Sequence, residues 1–168
     1  IDGVFSMNMQ QAGGAHALRV TKLKNWGTNE CNFASIYRLF MGCKNMTYEA
    51  TDFPDLSTLP GGNNGALAET FRDCEAITSL DLSNWQDTDK INRSNNAFLR
   101  MKNCELIDLT GWDFSNFTSC KAMFSTIGTL TTNGCVVKMP NADLTGANGA
   151  NAVDSIFTSC KLAEGTDI

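Results

Sequence analysis

The chain has 168 residues, 42% of them hydrophobic and only 18% charged, with a formal net charge of −5. That length allows one domain with a sizeable core, while an acidic balance without clustered Lys and Arg excludes a nucleic-acid-binding surface. No apolar run approaches the roughly 18 residues a membrane-spanning helix needs, so no membrane insertion is expected.

The first predicted element is a short helical stripe, Ile1-Val4-Phe5. The same spacing returns at Ile36-Leu39-Phe40-Cys43, Leu67-Thr70-Phe71-Cys74, around Phe98, at Cys120-Met123-Phe124-Ile127 and at Val153-Ile156-Phe157-Cys160. Offsets of three and four put such side chains on one helix face. A stripe recurring every 26 to 35 residues predicts a stack of one supersecondary unit rather than a single globular core. Because Ile1 already lies on the stripe, 1–168 is expected to be one segment excised from a longer polypeptide, with no signal peptide of its own.

Short strands are predicted between the stripes. Leu18-Thr21-Leu23 leads to a turn at Asn25-Trp26, after an insertion from Gln10 to His16. Met46-Tyr48-Ala50 follows, then a loose loop from Gly61 to Gly65. Leu80-Leu82 and Ile107-Leu109 alternate apolar and polar residues, as a half-buried strand does. They break at Asn84-Trp85 and Gly111-Trp112, where Asn and Gly tolerate positive φ. Val137-Met139 is the last strand, after an insertion near Thr131 to Gly134 and before a loop from Gly146 to Gly149. Phe33, Ile91 and Phe117 each precede a stripe as an apolar anchor, and Ser35, Asn92 and Ser119 stand ready as helix caps. The expected fold is therefore an α/β repeat: a leucine-rich-repeat-like solenoid of about five irregular coils, each a short strand plus a short helix. One such unit cannot bury its own apolar face, and a two-turn helix alone is marginal in water.

The stretch from Phe71 to Trp85, with its ungapped match from Phe98 to Trp112, resembles the BspA-type leucine-rich-repeat surface proteins. Phe40-Met41-Gly42-Cys43 and Met123-Phe124 are similar to the same pattern. The resemblance spans roughly 33 to 160 and is densest from 67 to 124, with Cys104 and Ile127 departing from it. It implies a strand-plus-helix solenoid, a cell-surface or secreted setting, and adhesion to proteins or cells. It brings no catalytic residues.

The residues themselves offer little chemistry. Seven cysteines in an extracellular chain suggest disulfides, but Cys43, Cys74 and Cys160 share a repeat position with Met101 and Ile127. Cys104 and Cys120 likewise replace Ile or Leu, so all five read as buried free thiols. Neighbouring helices about 8–10 Å apart would also be too distant to bridge. Only Cys31 and Cys135 remain as candidates for a disulfide. His16 is the single histidine and no Cys-x-x-Cys occurs, so no metal site, cofactor or nucleophile–base pair is expected. Gly13-Gly14 and Gly61-Gly62 lack the context of a phosphate loop. Asp81 and Asp108 would neighbour one another and could hold Ca²⁺ or act as acid and base, though the middle position of a Leu-x-Leu strand explains each of them more simply. Asn45, Asn92 and Asn116 begin glycosylation triplets, as chance alone would give in this composition.

A non-enzymatic module is therefore expected, recognising protein or glycan on another cell or particle. Its binding face would be the strand column Lys22, Glu49, Asp81 and Asp108, ending at Lys138 and flanked by Thr47, Ser79, Thr51, Ser83 and Thr110. The alternative is a virion component such as a decoration, fibre or tail domain, because neither end carries a polar capping repeat. Neighbouring domains or subunits would then cover the ends.

Overall fold

In the computed structural model, residues 4–5, 14–27, 32–33, 35–57, 59 and 67–168 are described. Seven strands appear in chain order: β1 (Val4–Phe5), β2 (Lys22–Leu23), β3 (Asn32–Phe33), β4 (Thr47–Tyr48), β5 (Ser79–Asp81), β6 (Leu106–Asp108) and β7 (Val136–Lys138). All pairing is parallel. β1 joins β3, β2 joins β4, and β5-β6-β7 form a three-stranded sheet with Ser79 opposite Leu106 and Leu106 opposite Val136. Among the described residues, helix is confined to α1 (Gly14–Ala17) and a 3-10 turn at Thr88–Lys90.

The expected α/β solenoid of strand-plus-helix coils is thus incorrect. No helix forms at any of the described stripes, and the strands are only two or three residues long. Val4–Phe5 of the first stripe is strand β1, and at each stripe from Phe40 to Phe157 the chain folds instead into a run of tight turns with two alternating sets of hydrogen bonds. In the Phe40 run, the amides of Leu39, Met41 and Cys43 donate three residues back, to Ile36, Arg38 and Phe40. The intervening amides of Arg38, Phe40 and Gly42 donate to Ala68, Thr70 and Arg72 of the next run. An α-helix would use every one of these amides internally, four residues back. Here half of them tie one run to the next, a cooperative gain unavailable to an isolated two-turn helix.

The backbone shows how this is done. Residues two before and two after each central Phe are left-handed: Arg38 and Gly42, Glu69 and Asp73, Asn96 and Arg100, Ala122 and Thr126, Ser155 and Ser159. Each left-handed residue rotates the next peptide out of helical register. The apolar offsets of four, one and three still point inward, so the stripe fits this geometry as well as it fits a helix. The expected caps have no helix to cap. Ser35 Oγ accepts from the Tyr37 amide, and Ser119 Oγ donates to Asn95 Oδ1.

Stacking of the runs builds the core, a single apolar cluster extending from Ala17 to Ala152. Phe40, Phe71, Phe98, Phe124 and Phe157 form one column of stacked rings, with successive centroids 5.8, 6.0, 5.4 and 5.3 Å apart. The ring of Phe5, the remaining member of the series, lies outside the described residues. A second column runs Trp26–Trp85–Trp112, at 5.3 and 5.5 Å. Burying each Phe contributes roughly 1.5–3 kcal/mol, and ring contacts add about 0.5–1.5. Two of the three indole N–H groups are partnered, Trp112 donating to the Leu82 carbonyl and Trp26 to Tyr48 Oη, while Trp85 Nε1, in the middle of the column, is buried without a hydrogen-bond partner among the described residues.

Candidate functional site

The strand side of the stack holds the expected binding strip. Lys22, Glu49, Thr51, Ser79, Asp81, Ser83 and Thr110 are exposed and Thr47 is half-buried. Asp108 departs from expectation: at 8% exposed it is buried, beneath the Lys138 ammonium 3.0 Å away. Burial alone would disfavour its charge, but Thr110 and Lys138 outweigh that and hold its carboxyl below the usual carboxylate range. Lys22 and Glu49 are paired at 2.6 Å. The column of charges is therefore a set of internal pairs rather than free groups awaiting a ligand.

One further device orders this face. Asp55-Leu56-Ser57, Asp81-Leu82-Ser83, Asp108-Leu109-Thr110 and Asp143-Leu144-Thr145 repeat a single motif. In each, the Asp carboxylate accepts from the amide two residues on, at 2.9 to 3.0 Å. In three of the four it also accepts from that residue's hydroxyl. At Asp81 and Asp108, the last residues of β5 and β6, these side chains close the turn after the strand, and at Asp55 and Asp143 they close a turn within the following loop, while the intervening Leu56, Leu82 and Leu109 are fully buried. Asp81 and Asp108 are neighbours in the sheet, yet each carboxylate is directed into its own turn. They do not converge on a shared cation or proton. Among the described residues no group of three His, Cys, Asp or Glu is arranged to hold a metal ion.

The turn-run side carries an ion-pair zigzag that sequence reading missed. Arg38 and Arg72 both contact Glu69, at 3.0 and 2.8 Å, and Arg100 grips Asp73 through two nitrogens, at 2.5 and 2.6 Å. Arg38, Glu69, Asp73 and Arg100 are all left-handed residues, so the backbone that prevents helix also aims these side chains at adjacent runs. Burial disfavours the Asp73 charge, but Arg100, with Arg72 and Lys44, more than compensates and keeps its carboxyl low.

Cys43, Cys74, Cys104, Cys120 and Cys135 are buried free thiols and Cys160 is a half-buried one. The wide helix-to-helix separation expected to keep them apart is absent, since adjacent runs touch through main-chain hydrogen bonds. The sulfurs instead behave as small apolar groups with local acceptors: Cys74 Sγ donates to the Phe40 carbonyl at 3.2 Å. Burial pushes the Cys43 thiol up to about 11 and the Cys74 thiol well above its ordinary value. Cys135 is thus free and buried, and Cys31, its expected partner, lies outside the described residues. Gly13 and Gly61-Gly62 lie outside them too. His16 is exposed on α1. The amides of Asn45 and Asn116 are engaged with the Leu18 and Asp89 carbonyls.

Two depressions of about 340 and 640 Å³ flank Glu105 on the strand side, lined by Glu75, Asn103 and Thr132 in one and by Asn133, Gly134 and Glu164 in the other. Neither brings a nucleophile and a base together. No described helix is long and apolar enough to cross a membrane. No family model, curated protein or solved structure matches the chain.

Proposed function

We propose that this chain is a non-enzymatic recognition module, displayed on a cell surface or outside the cell, that binds protein or glycan through the strand-side strip. The observation that carries the reading is the ordering of that strip. Asp81 holds Ser83, Asp108 holds Thr110, and Lys22 pairs with Glu49, so short polar groups are fixed before any partner arrives. A surface already ordered loses little side-chain entropy on binding. The resemblance of residues 67–124 to BspA-type surface repeats agrees with this setting.

The test is capture on arrays of glycans and of cell-surface and matrix proteins. Ser79→Arg and Thr110→Arg, which crowd the strip, should weaken any captured partner by about tenfold or more. Lys121→Glu, on the turn-run side, should leave it unchanged. Absence of any captured partner, or equal binding by all three variants, overturns the reading.

A second reading, a virion component built by contact between stacked units, is favoured by one separate observation: the amides of Val153, Ser155, Phe157 and Ser159 have no acceptor among the described residues.

A further inference from the structure

The turn runs have a direction. In the Phe71 run the amides of Leu67, Glu69, Phe71 and Asp73 donate to Arg93, Asn95, Ala97 and Leu99 of the following run. The Phe98 run donates to Ser119, Lys121, Met123 and Ser125, and the Phe124 run donates to Ala152, Asp154, Ile156 and Thr158. Every run offers carbonyls to its predecessor and amides to its successor. By that register the Phe157 run presents the amides of Val153, Ser155, Phe157 and Ser159 on its far side, and none of them has an acceptor among the described residues.

The same side is apolar. Val153 is 45% exposed, and Ile156, Phe157 and Cys160 are only half-buried, although the equivalent Cys120, Met123, Phe124 and Ile127 are fully buried. Four aligned donors beside an uncovered aromatic stripe reproduce one half of each interior interface. The missing half must be an acceptor edge, because a second donor edge has nothing to offer an N–H group. A tail-to-tail pairing of two such ends is therefore excluded.

We propose that this end of the stack is a docking site for a polypeptide segment that adds as one more turn run in parallel register. Its main-chain carbonyls, at alternate residues, accept from the amides of Val153, Ser155, Phe157 and Ser159. Its own aromatic residue covers the Phe157 ring as Phe157 covers Phe124. The occupant is recognised by the chemistry of the three fully described run-to-run interfaces, so its pattern is apolar at four before, one before and three after a Phe. This site is separate from the strand-side strip, and its test does not depend on that reading.

The probe is a copy of residues 116–128 of this chain, the run that serves as acceptor for Phe98, joined after Ile168 by a flexible Gly/Ser linker of about 15 residues that keeps it near the site. Hydrogen exchange of the four amides is followed by NMR in the intact protein. The copy should slow their exchange roughly tenfold or more and bury the Phe157 ring. A scrambled copy should do neither, and Val153→Glu, at a position exposed in the free protein, should abolish the protection. Unchanged exchange with the intended copy, equal protection by the scrambled one, or protection that survives Val153→Glu each overturns the proposal.

Discussion

The Phe98 and Phe157 runs share one backbone and differ in what surrounds them. Both place left-handed residues two before and two after the Phe, Asn96 and Arg100 in one, Ser155 and Ser159 in the other. Both accept main-chain hydrogen bonds from the preceding run. Only the Phe98 run also donates to a successor, and Phe98 is fully buried where Phe157 is not. The conformation of a run is thus imposed by its predecessor, whereas its stabilising burial comes from its successor. In a stack with nearest-neighbour contacts, loss of a middle element severs two interfaces and loss of an end element severs one.

Phe98→Ala should test that difference most strongly. Removing a fully buried Phe costs about 3–5 kcal/mol, and here the column is broken between Phe71 and Phe124. Phe157→Ala should cost roughly a third as much, since its ring already meets water on one side. Chemical denaturation of the two variants checks this. Equal losses would mean that the stack is not held together run by run.

The next largest effect contrasts two glycines, both with positive φ. A Cβ on Gly128 would lie 2.6 Å from the Cys135 nitrogen and 2.7 Å from the Lys161 carbonyl oxygen. Both atoms are main chain and belong to the coupling between β7 and the C-terminal segment, where the Cys135 amide donates to Lys161. Gly128→Ala should therefore cost on the order of 1–3 kcal/mol or more and loosen residues 135–168. At Gly165 nothing lies within 4 Å, so Gly165→Ala should cost only the φ penalty of about 1 kcal/mol. Similar melting curves for the two would show that the close approach at Gly128 is not rigid.

Much of the packing was legible in the sequence. The ring columns, the buried Leu80, Leu82, Ile107 and Leu109, and the turn tryptophans all follow from the repeat register. The helices did not follow, for a specific reason. Apolar residues at offsets of three and four suit a helix, and they equally suit turns in which left-handed residues recur four apart. Only Gly42, which lacks a Cβ, and Asp73 and Asn96, whose short polar side chains tolerate it, are residue types suited to φ > 0, while Arg38, Glu69, Arg100, Ala122 and Thr126 adopt it without any such preference. The hydrogen bonds between runs override local propensity at those places, and no single run announces them. The exposure of Lys22, Glu49, Asp81 and their Ser and Thr neighbours on the strand side follows from the repeat register, but the burial of Asp108 and the internal pairing were missed. The fourfold Asp-Leu-Ser/Thr motif was the available signal that its aspartates close turns.

Acid should separate the middle of the stack from its ends. Asp73 bonds Arg100 across adjacent central runs, and its folded carboxyl titrates below the ordinary range, as does that of Asp108 beside Thr110 and Lys138. A depressed folded value means stability that is present above the unfolded Asp pKa of about 3.9 and is lost as pH falls through the lower, folded value. Denaturation midpoints should accordingly hold near neutrality and decline below about pH 4. Asp73→Asn should lower stability at pH 7 and flatten that decline. If the variant and the parent fall in parallel between pH 4 and pH 2, the Arg100 contact contributes nothing in solution.

The smallest expected effect concerns the same backbone position in two different runs. Two residues after the central Phe, the Phe40 run has Gly42, at φ 79°, and the Phe124 run has Thr126, at φ 62°. A left-handed conformation costs an L-residue roughly 1–2 kcal/mol, and a β-branched one sits at the upper end. Glycine removes that cost but gives back about 0.5–1 kcal/mol in unfolded-chain entropy. Thr126 has little else to lose, since its hydroxyl makes only a 3.4 Å contact with Ser125 Oγ. Thr126→Gly should therefore stabilise the protein by up to about 1 kcal/mol, a gain confined to positions already held at positive φ. Gly42→Thr should lose a similar amount through φ alone, because its added Cβ meets nothing closer than Ala17 Cβ at 3.9 Å. Opposite signs for the two exchanges would show that the turn run, not the side chain, dictates the left-handed backbone, and a destabilised Thr126→Gly would refute it.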